Sequence, residues 1–159
     1  MIETRPAGPD DFQSVASLLA ELGRPDVLGP EDGEWARHSW KRYLSREDTL
    51  CFVAYDEDKV IGFIDVEFRQ RLNMRSMQAW VPDLIVSEDA RSKGAGRLLL
   101  EEAVAAAKER GCFGITLESA VWRERAHAFY EREGWQTSAK SLNLSLSETP
   151  WPPPARADG

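Results

Sequence analysis

The chain is expected to fold as a mixed α/β domain, because strand-like and helix-like periodicities alternate along it around a strand–turn–helix unit. Short apolar runs rich in Val, Ile, Phe and Leu occupy residues 50–55, 60–68, 77–86 and 113–119, and runs of that length and composition are strands. Longer stretches with apolar residues three and four apart separate them and are helices. Residues 79–111 read AWVPDLIVSEDARSKGAGRLLLEEAVAAAKERG: an apolar strand, a polar turn holding Gly94 and Gly96, and a long amphipathic helix.

In order, residues 2–5 form a short strand, and Gly8-Pro9-Asp10-Asp11 opens a helix with proline at its first position and carboxylates in its first turn. Phe12, Val15, Ala16, Leu18, Leu19 and Leu22 make its apolar face. Residues 24–33 hold two prolines and two glycines and are a loop, and 34–44 are a second helix carrying Trp35, Trp40 and Tyr43. Asp56-Glu57-Asp58-Lys59 joins strands 50–55 and 60–68, most simply as a hairpin. A polar loop at 69–76 leads to strand 77–86, where Pro82 is expected only at an edge or a bulge because it removes a ladder donor. The helix over 96–110 stops at Gly111, and a strand follows at 113–119. A helix over 123–133 ends at Gly134, and Leu142, Leu144 and Leu146 alternate as a half-buried strand over 140–146. Residues 1–146 therefore read as one domain, followed by a tail over 147–159 that is disordered by its proline-rich composition.

At 159 residues the chain is of ordinary single-domain size. A net charge of −7 and a pI near 4.9 argue against a nucleic-acid groove as the main surface. Cys51 and Cys112 lie far apart in apolar surroundings and are expected to be buried thiols in a reducing compartment. No basic-then-apolar leader opens the chain, and no run approaches the ~18 apolar residues that span a bilayer, so a cytoplasmic protein without a membrane partner is expected.

The glycine-rich turn has the layout of a phosphate cradle. Glycines let the main chain approach a ligand and turn its N–H groups inward, and the positive end of the following helix adds attraction for an anion. The G-x-x-x-x-G-K-[ST] of nucleoside triphosphatases is missing, and Leu99 stands where a dinucleotide fingerprint needs its third glycine. The remaining readings are a pyrophosphate site and a plain helix start packed on a sheet.

Arg91-x-x-Gly94-x-Gly96 after a strand, followed by Ala126-His127-Ala128-Phe129-Tyr130-Glu131-x-x-Gly134-Trp135, resembles the GNAT superfamily of acyl-CoA-dependent N-acyltransferases over roughly residues 2–146. The resemblance implies a mostly antiparallel mixed sheet of about seven strands flanked by about four helices, splayed between its two central strands. It implies acetyl-CoA as cosubstrate without a metal, and transfer of the acetyl group to a primary amine on a small molecule or peptide by direct attack in a ternary complex. A non-catalytic module that binds or senses CoA on the same fold is the alternative. Exposed strand edges in this fold make a homodimer one outcome.

The resemblance also assigns residues. Arg91, Ser92, Lys93, Gly94, Ala95, Gly96 and Arg97 would cradle the pyrophosphate, Lys93 and Arg97 being equally readable as solvated charges at a helix start. Backbone groups of Leu84, Ile85 and Val86 would face the pantetheine arm, one N–H polarising the thioester carbonyl. Ser119, Arg123, Ala126 and Phe129 would complete the cofactor side, although Arg123 replaces an asparagine common in relatives and is not its equivalent. Tyr130 would give a proton to the departing thiolate; by itself it reads as a buried aromatic. Some relatives carry a glutamate base at the position of Pro82, so Asp83 and Glu67 stand as candidate bases, with Asp65 and Glu118 also on strands. His127 reads as a packing or capping residue more readily than as a base. For the acceptor, Trp35, Trp40 and Tyr43 would suit an aromatic or cationic pocket, whereas Arg69, Arg71 and Arg75 would suit a carboxylate or phosphate; the two groups read equally as core aromatics and surface charge.

Overall fold

A computed structural model describes residues 1–148 of the chain. They fall into two compact units, Met1–Leu117 and a second that begins at Glu118. The first unit holds strands β1 (Ile2–Pro6), β2 (Thr49–Asp56), β3 (Lys59–Arg69), β4 (Gln78–Val81), β5 (Leu84–Val86) and β6 (Gly114–Leu117), with helices α1 (Phe12–Glu21), α2 (Gly33–Leu44) and α3 (Ala95–Glu109). The second unit holds helix α4 (Glu124–Arg132).

The six strands form one sheet in the order β1-β2-β3-β4-β6, with β5 also paired to β3. All pairings are antiparallel except β4 with β6, which is parallel. The β2–β3 hairpin is the centre of the unit, as the Asp56-Glu57-Asp58-Lys59 turn implies, and Glu57 turns the corner with a left-handed φ of 54°. On one face, α1 and α2 cover Val53, Phe63 and Ile85 through Phe12, Val15, Leu18 and Trp40. Trp40 stacks edge-on to Phe63 at 6.0 Å and donates its indole N–H to the Gly8 carbonyl at 3.2 Å, so it belongs to the core. Leu99, Leu100, Ala103, Ala106 and Ala107 make the buried stripe of α3.

Gly62 marks where β3 is most tightly enclosed. A Cβ there would stand 3.0 Å from Leu99 Cδ1 and 3.2 Å from the Ile85 carbonyl oxygen, and the second contact is backbone that cannot rotate away. Gly62→Ala is therefore expected to destabilise the protein by about 1–3 kcal/mol, as overpacking does. Urea denaturation measures it, and an unchanged midpoint would show that β5 yields freely.

Two sequence expectations change. The strand over 77–86 is two strands, β4 and β5, broken at Pro82-Asp83. The strand expected over 140–146 is not formed, and the sheet has six strands where the resemblance implied about seven: Leu142, Leu144 and Leu146 are 93%, 82% and 91% exposed, and the segment has no regular secondary structure. Alternation satisfies only one requirement of a half-buried strand; the other is a neighbour to pair with. Of the tail expected over 147–159, residues 149–159 lie outside the described residues.

Candidate active site

The break in the strand is a β-bulge. From Glu67 to Ile64 the chain moves three residues along β3, whereas the partners run four, from Trp80 to Leu84. Pro82 and Asp83 together oppose Asp65, and a proline without an N–H is tolerated at such a point. Beyond it, Asp83 accepts from the Asp65 N–H at 3.3 Å and the Ser87 N–H donates to the Ile61 carbonyl at 2.8 Å. Backbone groups alternate sides along a strand. Odd-numbered Ile85 therefore turns to β3, while Leu84 and Val86 turn their N–H and C=O groups to the opposite side, where β5 pairs with no strand among the described residues. Of the three residues expected to line the pantetheine arm, Leu84 and Val86 have the backbone free to do so; Ile85 is a core residue.

After β5 the chain turns through Arg91-Ser92-Lys93-Gly94 into α3. Ser92 and Gly94 both adopt left-handed conformations, φ 66° and 92°. For serine this is uncommon, and closely spaced left-handed residues turn backbone N–H groups into an anion-binding concavity. Gly94 is the N-cap of α3, and no side chain caps the helix there. The first intrahelical bond runs from the Leu98 N–H to the Gly94 carbonyl at 3.1 Å, so the N–H groups of Ala95 and Gly96 have no intrahelical acceptor. A Cβ built on Gly94 meets nothing within 4 Å. The loop thus presents unsatisfied donors, the positive end of a fifteen-residue helix and open space, which is what a pyrophosphate requires. Arg97 pairs with Glu101 at 3.0 Å, and Lys93 borders a shallow cavity with Lys59, Ser87 and Asp89 on the hairpin side of the loop.

On the sheet face beyond α2, the register places Cys51 opposite Asp65 and Glu67 opposite Trp80, so these side chains form one polar strip. Asp65 is 4% exposed. Its Oδ2 accepts from the Tyr43 hydroxyl at 2.6 Å and its Oδ1 from the Asp83 backbone N–H at 2.8 Å. Tyr43 also reaches Glu67 at 3.3 Å. Burial, helped by the neighbouring Asp83 carboxylate, pushes the Asp65 carboxyl up to about 7. Burial and the same Asp65 raise Tyr43 far above an ordinary phenol, so it remains a donor. Asp83 is held by two N–H groups of Arg24, at 2.9 and 2.7 Å, and Glu67 lies 3.4 Å from Arg46. Nothing local in the sequence separates Asp65 from Glu67, which shares its alternation; the difference comes from Tyr43, twenty-two residues earlier.

The raised Asp65 carboxyl predicts a pH effect on stability. Its folded value is above the unfolded one near 3.8, so the native state binds the extra proton and stability falls as pH rises from about 4 to about 7. Asp65→Asn removes that titration. Between pH 5 and 8 the wild type should lose roughly 3 kcal/mol relative to the variant, read as diverging melting temperatures. Parallel pH profiles would show that Asp65 titrates as an ordinary carboxylate.

The other expected residues are placed as follows. Trp35 is 64% exposed. Arg69 lies over the Trp80 ring at 3.6 Å, and Arg71 donates to Gln78 at 3.1 Å. Cys51 is buried, which raises its thiol, while Cys112 is only half-buried. In the second unit, Ser119 precedes α4, Arg123 is the N-cap residue of α4 and lies over Trp122 at 5.1 Å, and Ala126, Phe129 and Tyr130 share its half-buried side. His127 Nε2 lies 3.0 Å from the Ala120 carbonyl, a capping contact. Tyr130 packs against Phe129 at 5.4 Å and Trp135 at 6.0 Å, and its hydroxyl makes no hydrogen bond among the described residues. Burial pushes Tyr130 up to about 12 against a lowering pull from the Arg123 charge.

The family model of the acetyltransferase (GNAT) family matches residues 15–135, and the chain belongs to that family. N-alpha-acetyltransferase MAK3 of Arabidopsis thaliana is 30% identical over 89% of this chain and 69% of its own length. Aminoalkylphosphonate N-acetyltransferase of Salmonella typhimurium is 26% identical over 86% of both chains. An uncharacterized N-acetyltransferase of Methanocaldococcus jannaschii, MJ1207, is 29% identical over 80% of this chain, which spans 57% of that relative. Among solved structures, a Bacillus halodurans protein described as a transcriptional regulator superposes with a TM-score of 0.83 at 24% identity, covering 92% of this chain and 100% of that one. Glucosamine-6-phosphate N-acetyltransferase of Arabidopsis thaliana does so with 0.80 at 18%, covering 92% and 99%. These superpositions establish the fold. The Arabidopsis MAK3 and Salmonella relatives are named as acetyltransferases and lend no support to a non-catalytic module.

Proposed function

We propose that residues 1–146 act as one acetyl-CoA-dependent N-acetyltransferase domain; the family match at 15–135 runs through both compact units. The observation that carries this reading is the uncapped start of α3 behind left-handed Ser92 and Gly94, a donor-lined concavity with open space over the glycine. Backbone N–H groups of residues 92–96 hold the pyrophosphate, with Arg97 at the edge of the cradle, and those of Leu84 and Val86 hold the arm. Bound acetyl-CoA supplies the acetyl thioester. The Leu84 N–H polarises the thioester carbonyl, and Tyr130 Oη delivers a proton to the departing sulfur. Ser119, Arg123, Ala126 and Phe129 complete the cofactor side on the family pattern.

An alkyl amine of pKa ~10 is almost wholly protonated at neutral pH and must lose a proton before attack. Of the two candidate bases, Glu67 is the more loosely held, by Tyr43 at 3.3 Å and Arg46 at 3.4 Å, whereas Asp83 accepts from Arg24 at 2.9 and 2.7 Å. The strip around Glu67 and Tyr43 suits a cationic amine, and Arg69 and Arg71 at its rim suit an acceptor that also carries an anionic group.

Thiol release from acetyl-CoA across polyamines, amino acids, aminoalkylphosphonates, aminoglycosides and short peptides tests the reading. Saturable release with one class is expected. Silence across the panel from protein that binds acetyl-CoA would return the non-catalytic alternative, and failure to bind acetyl-CoA would refute the cradle itself.

A further inference from the structure

Asp65 occupies a costly position for a carboxylate. It lies mid-strand at 4% exposure, and among the described residues no cation lies within ion-pairing distance of it. Burying a carboxylate without a cation is unfavourable unless its lone pairs are met by hydrogen bonds. Here both oxygens are met by neutral donors, one from a helix and one from the main chain of the bulge.

The bulge explains the second donor. In a regular antiparallel pair, Asp65 and Asp83 would exchange two backbone bonds. One survives, from the Asp65 N–H to the Asp83 carbonyl at 3.3 Å. The extra residue carries the Asp83 N–H away from the Asp65 carbonyl, and Asp65 Oδ1 accepts it instead at 2.8 Å. Asp65 therefore grips both polar groups of Asp83 and replaces, with a side chain, the ladder bond that the bulge removes. Tyr43 fixes the carboxylate from the other side at 2.6 Å. The next residue, Leu84, turns its N–H to the open side of β5.

We propose that Asp65 is a positioning residue for acetyl transfer: its carboxylate, oriented by Tyr43, clamps the Pro82-Asp83 bulge and so aims the Leu84 N–H at the thioester carbonyl. The inference rests on the acetyl-CoA reading above. It gives the buried acid a task separate from general-base catalysis, because neither oxygen is open to an acceptor. An acceptor atom at position 65 is required and a negative charge is not, so asparagine should substitute where leucine does not.

The test is infrared difference spectroscopy of acetyl-CoA labelled with carbon-13 at the acetyl carbonyl, bound to wild type, Asp65→Asn and Asp65→Leu. A hydrogen-bonded carbonyl stretches at lower wavenumber than a free one. The wild type and the asparagine variant are expected to lower the band alike, and the leucine variant to return it toward its position in water-free solvent. An equally lowered band in the leucine variant overturns the clamp. A band that is not lowered in the wild type overturns the carbonyl contact while leaving cofactor binding intact; absence of any bound acetyl-CoA in the wild type overturns the cofactor reading and the inference with it. Should the leucine variant not fold, amide hydrogen exchange of the wild type decides: the Asp83 N–H is expected to be protected, and exchange at the rate of a free chain overturns the clamp.

Discussion

Replacing Gly94 by tryptophan is expected to weaken acetyl-CoA binding by at least about 100-fold while leaving the melting temperature within a few degrees of wild type. Two effects combine. Gly94 sits at φ 92°, where any Cβ costs about 1–2 kcal/mol, so the loop relaxes toward an ordinary conformation and its N–H groups lose their common direction. The added side chain also fills the space that lies open over the glycine, since no atom comes within 4 Å of a Cβ there. That same openness predicts a small effect on the fold. Gly94→Ala separates the two effects: it carries the conformational strain with little bulk, and its loss should be several-fold to tenfold. Calorimetric titration of both variants measures them. Wild-type affinity in the tryptophan variant would show that the cofactor does not approach the main chain at this loop.

The strand–turn–helix unit on which the proposed cradle rests was legible in the sequence because its parts are local. A strand, two glycines and an amphipathic helix are contiguous, and each residue type has one physical reason to be there. The break at Pro82 was legible as an oddity, since proline cannot serve a central ladder; that it is a bulge with Asp83 gripped by Asp65 required the register. Long-range partners account for most of what the sequence hid. Trp35, Trp40 and Tyr43 lie on one helix and look alike in the sequence, yet Trp40 is packed on Phe63, Tyr43 holds a buried acid and Trp35 is solvent-exposed. Leu84, Ile85 and Val86 likewise differ only by strand alternation, which counts from the bulge and not from the chain. The Leu142, Leu144 and Leu146 pattern failed in the opposite direction, since alternation predicts a strand face without supplying a strand to pair with it.

Tyr130→Phe is expected to lower turnover with the best amine of the panel by about 100-fold, the lower end of what a positioned acid contributes, and to leave acetyl-CoA affinity within about twofold. The reason for choosing the lower end lies in the proton balance. Tyr130 is pushed up to about 12, whereas a thiol has a reference pKa near 8.5. Complete transfer to a solvated thiolate is therefore uphill, and the hydroxyl acts chiefly by hydrogen-bonding to sulfur as negative charge develops, with transfer completed as the desolvated thiolate leaves. Its sign with pH follows: an acid must be protonated to act, so no alkaline loss of turnover from this group is expected below about pH 11. Phenylalanine keeps the contacts with Phe129 and Trp135 and removes only the donor, so a fall in stability is not an available explanation. Single-turnover measurements keep product release from masking the chemical step. Equal rates in the two proteins would remove Tyr130 from the mechanism; a wild-type rate that falls near pH 9, with no such fall in the variant, would retain the acid but place its proton far lower than burial beside Arg123 dictates.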